Sequence, residues 1–329
     1  MRAKLPEILV TGGAGFIGST FVRLALKNGY KVVLLDKLTY AADLKRLGEA
    51  RNKIKFHKAD IADKAAVEKI FKIHHPQIVV NFAAETHVDR SIRDASAFLK
   101  TNVIGTQVLL DISRDYPVKR FIHISTDEVY GEIEKGAFTE DSPLKANSPY
   151  AASKAAADLL IKSYVRTYSF PAVIVRPCNN YGVWQYPEKL IPLSILKIFR
   201  NEKIPIYAQG KNVREWLYVD DCARGILAIM QKGKIGEVYN LGSNEERQNL
   251  ETIKLLLKTL GVSRSMIQFV KDRPGHDIRY KLSSVKTYRQ TGWKPKIDLS
   301  EGLKRTVAWA KDNRGWLLSK WKSIAPLYK

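Results

Sequence analysis

Residues 11–18 read Thr11-Gly12-Gly13-Ala14-Gly15-Phe16-Ile17-Gly18, and they join a strand-like segment, Glu7 to Thr11, to the start of a helix. Glycines at these spacings let the backbone turn tightly, approach a bound pyrophosphate and pack a helix closely on a strand. The amide groups at the start of such a helix are free to bind an anion. The stretch therefore predicts a dinucleotide-binding turn.

The residues beyond this turn alternate short β-branched segments with segments of helical periodicity. Further strands are predicted at Lys31 to Asp36, Ile54 to Lys58, Ile78 to Ala83, Arg120 to Ser125 and Ala172 to Arg176. Strands separated by helices need right-handed crossovers, which produce a parallel sheet covered on both faces. The predicted fold class is α/β, a doubly wound parallel (Rossmann) sheet with a smaller C-terminal lobe.

The pattern changes after Arg176, where proline-rich and aromatic-rich segments begin. We predict that residues 1–176 form the dinucleotide-binding domain, and that residues of about 214–242 return to its sheet as a strand at Trp216 to Val219, a helix and a strand at Val238 to Leu241. Residues 177–213 and 243–329 then form most of the substrate-binding lobe.

Asp36 ends the second predicted strand, at the offset of about 20 residues where a carboxylate can bond to the adenosine ribose hydroxyls. The same carboxylate would repel a 2′-phosphate, so the sequence favours NAD over NADP. The neighbouring Lys37 argues in the opposite direction.

The composition limits the location and the partners. The chain has 329 residues, a net charge of +22 and only two cysteines, too few for a disulfide framework, and no Cys/His spacing indicates zinc. We expect a cytoplasmic protein, since neither a signal peptide nor a membrane-spanning stretch is recognisable. The positive charge leaves a nucleic acid, an anionic membrane surface or a phosphorylated small molecule open as partners.

Tyr150 and Lys154 are four residues apart in Tyr150-Ala151-Ala152-Ser153-Lys154, so they share one face of a helix. In a dinucleotide-binding fold, the ammonium and the nicotinamide charge would lower the pKa of the tyrosine, which could then take a proton from an alcohol. Tyr207 and Lys211 have the same spacing, but the neighbouring Gly210 argues against a helix there.

Asp127 and Glu128 follow the fifth predicted strand, at the edge where open α/β sheets bind ligands. Both carboxyls can reach one substrate only if the chain turns after Thr126, because successive side chains of a strand point to opposite faces. Two carboxyls in a cleft whose pKa values differ can act as one acid and one base. An isolated Asp-Glu pair is also typical of solvent-exposed loops.

Six longer motifs extend these features. They are Asp36-Lys37-Leu38-Thr39-Tyr40-Ala41, Ala83-Ala84-Glu85-Thr86-His87-Val88-Asp89-Arg90-Ser91, Ser125-Thr126-Asp127-Glu128-Val129-Tyr130-Gly131, Pro187-Glu188-Lys189-Leu190-Ile191-Pro192, Asn212-Val213-Arg214-Glu215-Trp216-Leu217-Tyr218-Val219-Asp220-Asp221 and Asp272-Arg273-Pro274-Gly275-His276-Asp277. Through them the chain resembles, over nearly its whole length, the extended short-chain dehydrogenase/reductases, the family of NAD-dependent epimerases and dehydratases of nucleotide sugars.

The resemblance implies a redox-neutral dehydration of dTDP-glucose to dTDP-4-keto-6-deoxyglucose, a step of dTDP-rhamnose synthesis. Tyr150, tuned by Lys154, would accept the C4 hydroxyl proton while hydride leaves for NAD, and Thr126 would bond to the same oxygen. Glu128 would remove the C5 proton and Asp127 would protonate the departing C6 hydroxyl. Epimerases and decarboxylases of this superfamily lack the Asp-Glu pair, which makes the pair the main discriminating feature.

The resemblance also implies the binding residues. For NAD they are Gly12, Gly15, Phe16, Ile17, Gly18, Asp36, Lys37, Leu38, Thr39, Asp60, Ile61, Ala83, Ala84, Glu85, Thr101, Tyr150, Lys154 and Asn180. For the nucleotide sugar they are Thr86, Thr126, Asn179, Lys189, Leu190, Pro205, Tyr207, Arg214, Asn249, Arg273 and His276. Cys178 and Val183 depart from the serine and proline that are usual there, and we interpret Cys178 as a small buried residue. No metal site is predicted.

Helices predicted at about Ser96 to Ser113 and Tyr150 to Tyr168 have apolar stripes on more than one side. Such helices pair across a dimer in the resembled family, so we expect a homodimer. Two alternatives stay open for the function. One is a UDP-glucose 4,6-dehydratase or another nucleotide-sugar epimerase or dehydratase. The other is a cofactor-bound RNA-binding protein, for which the sequence shows no interleaved aromatic and basic module.

Overall fold

The structure is a computed structural model that describes residues 5–272 and 275–327. Its strands are β1 (Glu7–Thr11), β2 (Lys31–Asp36), β3 (Ile54–Lys58), β4 (Ile78–Asn81), β5 (Arg120–Ile124), β6 (Ala172–Pro177), β7 (Asn179–Tyr181), β8 (Ile204–Ile206), β9 (Val213–Tyr218), β10 (Val238–Leu241), β11 (Glu246–Gln248) and β12 (Ile267–Phe269). Its helices are α1 (Phe16–Lys27), α2 (Lys64–His74), α3 (Val88–Arg93), α4 (Ser96–Phe98), α5 (Gly105–Asp115), α6 (Pro149–Tyr168), α7 (Leu190–Phe199), α8 (Val219–Lys232), α9 (Asn249–Leu260), α10 (Val285–Thr291), α11 (Leu299–Asp312), α12 (Arg314–Ser319) and α13 (Trp321–Ile324).

Seven parallel strands form the central sheet in the order β10-β6-β5-β4-β1-β2-β3. The chain builds the sheet outward from β1 to β3 and then restarts on the other side at β4. This reversal leaves a crevice beyond the carboxyl ends of β1 and β4, where doubly wound sheets bind their ligands. The predicted fold class is confirmed.

Helices cover both faces of the sheet. On one face α1 and α8 pack together over a core that includes Phe21 and Ile226. On the other face α2, α5 and α6 pack over a core that includes Phe71, Leu109 and Ile161. Strands buried on both faces read as continuous apolar runs, which is the reason that the sequence located them.

A third core lies in the smaller lobe, where the strand orders are β11-β9-β7 and β12-β8. The predicted strand at Trp216 to Val219 belongs to this lobe as β9, paired with β7 and β11, so its predicted return to the central sheet is wrong. The strand at Val238 to Leu241 does pair with β6. An apolar run reports the burial of a strand and not its partner, which explains the error.

The predicted helix at Ser96 to Ser113 is not continuous α-helix. A π-helical segment, Leu99–Ile104, separates α4 from α5. Short π-helical segments inside α-helices are frequent at functional sites. In the described parts of the chain, we find no helix with both the length and the apolar character that crossing a membrane requires.

Candidate active site

The glycine-rich turn after β1 forms a cradle that side chains would fill. Gly12 has a φ of +68°, and a Cβ atom there would lie 2.5 Å from the backbone nitrogen of Ala83. A Cβ atom at Gly18 would overlap the carbonyl oxygen of Gly12. Helix α1 starts after Gly15 without a side-chain cap, so its first amide groups are available to an anion. These residues fit the pyrophosphate of a dinucleotide.

Asp36 stands at the end of β2 and is only 7% exposed. Its Oδ2 atom accepts a hydrogen bond from the Ala14 amide at 2.9 Å, and its Oδ1 atom accepts one from the Leu38 amide at 2.8 Å. Burial raises the pKa of Asp36, while these two backbone bonds act against the increase. The carboxylate therefore links the glycine turn to the segment that follows β2.

Lys37 does not make this site suitable for the 2′-phosphate of NADP. Its Nζ atom forms an ion pair with Asp60 Oδ2 at 2.7 Å. A phosphate beside Asp36 would have to compete with the carboxylate of Asp60 for this ammonium and would also meet the charge of Asp36. The arrangement favours an adenosine ribose with free hydroxyls.

One cleft gathers the residues predicted to bind the cofactor. All of them line it except Leu38, whose amide bonds to Asp36 instead. The lining includes Gly12, Gly15, Phe16, Ile17, Gly18, Asp36, Lys37, Thr39, Asp60, Ile61, Ala83, Ala84, Glu85, Thr101, Tyr150, Lys154 and Asn180.

A second cavity adjoins the cleft and contains most of the residues predicted to bind the substrate. They are Asn179, Lys189, Leu190, Pro205, Tyr207, Arg214, Asn249 and His276. Thr86 and Thr126 line the first cleft, and Arg273 lies outside the described residues. Glu128 lines both cavities. A ligand that extends from one cavity to the other would pass this carboxylate.

The chain turns after β5, which is the condition for both carboxyls to reach one substrate. Thr126 caps a 3-10 turn, Asp127–Tyr130, and its hydroxyl accepts a hydrogen bond from the Glu128 amide at 3.3 Å. Gly131 ends the turn with a φ of +79°, a backbone conformation that glycine adopts readily. The turn lets both carboxyls line the same cleft.

The two carboxyls have unlike surroundings. Asp127 is 2% exposed, and burial, followed by the nearby Glu128, raises its pKa well above the ordinary value. Its Oδ1 atom accepts a hydrogen bond from the Thr126 hydroxyl at 3.1 Å, and its Oδ2 atom has no hydrogen-bond partner among the described residues. Glu128 is only half-buried. The pair can hold one proton on Asp127 and one charge on Glu128.

Tyr150 and Lys154 lie in the first turns of α6, which Ser148 caps and Pro149 begins. The tyrosine hydroxyl hydrogen-bonds with the Thr126 side chain, so it stands beside the loop of the carboxyls. The Lys154 Nζ atom donates to the Ile124 carbonyl at 2.6 Å. Both side chains face the cleft on one side of the helix, as their spacing predicted.

Tyr150 and Lys154 are both buried, and burial shifts the pKa of each. Burial, followed by the charge of Glu128, raises the pKa of Tyr150. Burial also lowers the pKa of Lys154 to about 8, against the opposing effect of Asp158. The predicted decrease in the phenol pKa included the charge of a bound nicotinamide, so it stays a prediction. For the protein groups alone burial dominates, and the spacing of two residues does not report how deeply both are buried.

Two supporting residues were missed by the sequence analysis. His123 is fully buried, with its Nε2 atom 3.3 Å from Lys154 Nζ, and burial lowers its pKa well below the usual value. Asn102, in the π-helical segment, bonds to the amide and the carbonyl of Glu85 and to Ser153. The signal that could have found His123 is a histidine inside an apolar strand. The position of Asn102, by contrast, depends on the π-helical segment.

Cys178 is buried in the cleft wall, and burial raises the pKa of its thiol well above the ordinary value. A thiol of this kind stays protonated and is a poor nucleophile. Among residues 5–272 and 275–327, no three His, Cys, Asp or Glu side chains are grouped so that they could hold a metal ion.

The low pKa of Lys154 predicts a pH-dependent stability. Between pH 8 and the ordinary lysine value of 10.5, the unfolded chain binds a proton that the folded chain does not, so folding becomes more favourable as the pH rises. We expect the free energy of unfolding of the wild type, measured against Lys154→Met by urea denaturation, to increase by about 3 kcal/mol over this interval. Parallel pH profiles of the two proteins would contradict the low pKa.

Comparison with known proteins supports one family. Residues 9–306 match the family model described as GDP-mannose 4,6 dehydratase. The chain is 46% identical over 319 residues to a dTDP-glucose 4,6-dehydratase of Streptomyces niveus, with 94% of each chain covered.

Solved structures show the same relationship. The dTDP-glucose 4,6-dehydratase DesIV of Streptomyces venezuelae, crystallised with NAD, has a TM-score of 0.91 and 46% identity, covering 94% of this chain and 98% of that one. A UDP-glucose 4-epimerase of Thermotoga maritima, solved with UDP-glucose, has a TM-score of 0.89 and 34% identity, covering 94% and 99%. The chain belongs to the GDP-mannose 4,6 dehydratase family.

Proposed function

We propose that the protein is an NAD-dependent dTDP-glucose 4,6-dehydratase that forms dTDP-4-keto-6-deoxyglucose and water. The observation that carries this proposal is the carboxyl pair beside Tyr150, in which Asp127 is buried and Glu128 is half-buried. An elimination needs an acid that is neutral and a base that is ionised at the same pH. The names of the dehydratase relatives, which cover nearly the whole chain, support the same activity.

The cofactor cleft fits NAD. The first amide groups of α1 would bind the pyrophosphate, Asp36 the adenosine ribose, and the wall near Tyr150 and Asn180 the nicotinamide. When bound, NAD accepts a hydride from C4, returns it at C6 and contributes a positive ring charge near the phenol. The preference for NAD over NADP rests on Asp36 and on the ion pair of Lys37 with Asp60.

Tyr150 acts on the C4 hydroxyl. Its oxygen takes the proton of that hydroxyl during oxidation, and the Thr126 hydroxyl, which already bonds to Tyr150, holds the same substrate oxygen. Burial makes the phenolate costly in the protein alone, so Tyr150 needs cationic charge nearby in order to ionise. Lys154 contributes such charge when it is protonated, and its bond to the Ile124 carbonyl fixes the position of the ammonium.

The carboxyl pair performs the elimination. The 4-ketone acidifies the C5 proton, and Glu128 removes it. Asp127 donates its proton to the C6 oxygen, the C6–O bond breaks, and water leaves. After C6 is reduced, Glu128 returns its proton to C5 and is ionised again. The proton that Tyr150 took from the C4 hydroxyl then passes to Asp127 by way of the Thr126 hydroxyl, which bonds to both, and this transfer restores the phenolate and the acid.

The second cavity would hold the nucleotide. Arg214 is 7% exposed and donates to the carbonyl oxygen of Asp277 at 2.8 Å, which fixes its guanidinium beside the cavity. A guanidinium suits a diphosphate, and the ring of Tyr207 offers a face to a pyrimidine base. We propose that residues 1–176, together with α8 and β10, hold NAD, and that β9 and residues 177–213 and 243–329 supply most of the nucleotide-sugar lobe.

The direct test is incubation of the purified protein with dTDP-glucose and, separately, with UDP-glucose, followed by detection of a 4-keto-6-deoxy sugar. We expect the keto product with dTDP-glucose and no net change in NADH absorbance, because the hydride returns to the sugar. A keto product from UDP-glucose alone would show that the nucleobase of the substrate is uracil and not thymine. Conversion of either substrate to a C4 epimer would contradict the dehydratase assignment.

Removal of the base separates binding from elimination. We expect Glu128→Gln to keep bound NAD and to lose about two to four orders of magnitude in keto-sugar formation, since an amide cannot accept the C5 proton. The control is Glu134→Gln, which neutralises an exposed carboxyl in the same segment of chain. Turnover that is equal in the two variants would remove Glu128 from the mechanism.

We also propose a homodimer formed by the helices on the α5 and α6 face of the sheet. This face exposes a set of large apolar side chains: Ile92, Leu99, Ile104, Leu159 and Tyr168. Contiguous exposed apolar groups mark protein interfaces.

We also propose a cytoplasmic location, with which the free thiols of Cys178 and Cys222 are compatible. The pathway that we propose for the product is dTDP-rhamnose synthesis.

A charge on the proposed interface should separate the subunits. We expect light scattering to give a dimer for the wild type and a monomer for Leu159→Glu, because the glutamate would be buried without a partner. Val285→Glu is the matched control: Val285 is 52% exposed on α10, which packs against α8 on the opposite face of the sheet. A monomeric wild type, or dimeric Leu159→Glu, would contradict this interface.

A further inference from the structure

The short helices α12 and α13 come after residue 306, where the match to the family model ends. They do not lie against the nucleotide-sugar lobe alone. Helix α12 and the residue after it, Lys320, also contact the segment 39–46, which follows β2 and contributes Thr39, Ala41, Ala42 and Arg46 to the wall of the cofactor cleft. The C-terminal part of the chain therefore reaches the wall of the cofactor site.

Asp43 is the main point of contact. Its Oδ2 atom accepts hydrogen bonds from Trp316 Nε1 at 2.8 Å and from Lys320 Nζ at 3.1 Å. Burial would raise the pKa of this carboxyl, but the bonds from Trp316, from the Lys45 amide and from Lys320 lower it overall. The Asp43 amide also donates to the Ala14 carbonyl, which belongs to the glycine-rich turn. One carboxylate thus connects α12 and the residue after it to the cofactor-binding turn.

Arg46 is the second point of contact. It is 1% exposed, and its guanidinium donates to the carbonyl oxygens of Ala14, Ala41 and Trp184. Burial lowers its pKa to about 10, against the carboxylates of Asp43 and Asp36, so it stays cationic at neutral pH. Its Nη2 atom has no hydrogen-bond partner among the described residues. The side chain holds three segments of the cleft wall in one position.

Aromatic residues pack against this cation. The Trp316 ring centroid lies 5.6 Å from the Arg46 guanidinium carbon. The same ring contacts Trp184 at 5.3 Å between centroids, and Trp184 contacts Trp309 of α11. Further along, the hydroxyl groups of Tyr186, in the cleft wall, and Ser323, in α13, are 2.5 Å apart. The contact extends along the cleft wall at several points.

We propose that residues 314–324, together with Asp43 and Arg46, form a C-terminal latch that retains NAD in its cleft through the whole catalytic cycle. Loops beside a cofactor are ordinarily the mobile part of such a site, and their opening sets the rate of release. Here the segment 39–46 opens only if the bonds of Asp43 to Trp316 and Lys320 break. Arg46 and Asp43 are positioning residues in this arrangement.

The chemistry of the proposed dehydration explains why NAD must be retained, and this step rests on the proposed function. The hydride removed from C4 returns to C6 of the same sugar, so the reduced cofactor must stay bound between the two transfers. Its escape would leave an unfinished keto sugar and a subunit without an oxidant. A dehydrogenase that exchanges its cofactor at every turnover has the opposite requirement.

The test measures release of NAD without any sugar present. Asp43→Asn keeps the size of the side chain, but it removes the negative charge and leaves one acceptor oxygen, which cannot serve both the Lys45 amide on one side and Trp316 Nε1 and Lys320 Nζ on the other. Holoenzyme is mixed with an excess of the fluorescent analogue etheno-NAD, and the exchange rate is followed. We expect exchange to be about tenfold faster than in the wild type, the effect of losing one charge-assisted hydrogen bond.

Asp63→Asn is the matched control, because Asp63 caps α2 with the same kind of bond, from the Ala66 amide, and among the described residues no hydrogen bond joins it to the C-terminal helices. Trp316→Phe is the second variant; it removes the indole N–H and keeps an aromatic ring, and we expect it also to accelerate exchange. During turnover of dTDP-glucose, both variants should release NADH into solution, whereas the control should not.

Equal exchange rates in the wild type, Asp43→Asn and Trp316→Phe would overturn the latch. Failure of the proposed function has a different signature: a wild type that binds NAD and exchanges it slowly but forms no keto sugar from dTDP-glucose. The two results are separable because the exchange measurement does not use the sugar nucleotide.

Discussion

The exclusion of water from Asp127 is the constraint on which the rest of the site depends. A carboxyl that is 2% exposed and close to Glu128 cannot ionise without facing both desolvation and like-charge repulsion. Both effects raise the pKa of Asp127 and favour its protonated form. The half-buried Glu128, the next residue in the chain, retains access to solvent and to both cavities. The 3-10 turn after β5 is what places these unlike environments side by side.

Burial of titratable groups at this site opposes stability. Lys154 and His123 are buried together, and Tyr150 is buried against the carboxyl loop. Local rules of folding are typically violated at functional sites, and other parts of the structure compensate. Here the buried ion pair of Asp158 with Arg176, at 2.8 Å, lies on the same helix and the adjoining strand, and Asp158 opposes the fall in the pKa of Lys154. The carboxylate of Asp158 thus helps to keep the buried ammonium of Lys154 protonated.

The periodicity of the sequence predicted the strands of the central sheet, and the spacing of the glycines predicted the turn after β1, because both depend on local patterns. The periodicity could not predict that β9 pairs in the smaller lobe, since an apolar strand does not encode its neighbour. Nor could it predict the direction of the Tyr150 pKa, which depends on tertiary burial. Leu38 was assigned to the cleft from the resemblance, whereas the structure uses its amide to hold Asp36.

The contacts of the C-terminal helices also could not be predicted from local sequence patterns. Asp43 and Trp316 are 273 residues apart, and with Arg46 they carry no shared motif, so only the folded chain shows that they meet. The sequence motifs indicated the residues that line the two cavities more readily than the residues that hold those residues in place. Asn102 and His123 belong to this second group as well.

The protonation state of Asp127 can be observed directly by infrared difference spectroscopy of the holoenzyme at neutral pH, with the spectrum of Asp127→Asn subtracted from that of the wild type. Our account predicts a carbonyl stretching band of a protonated carboxylic acid in the difference spectrum, with no matching carboxylate band. A carboxylate band in its place would show that Asp127 is ionised, and it would contradict the assignment of this residue as the acid of the elimination.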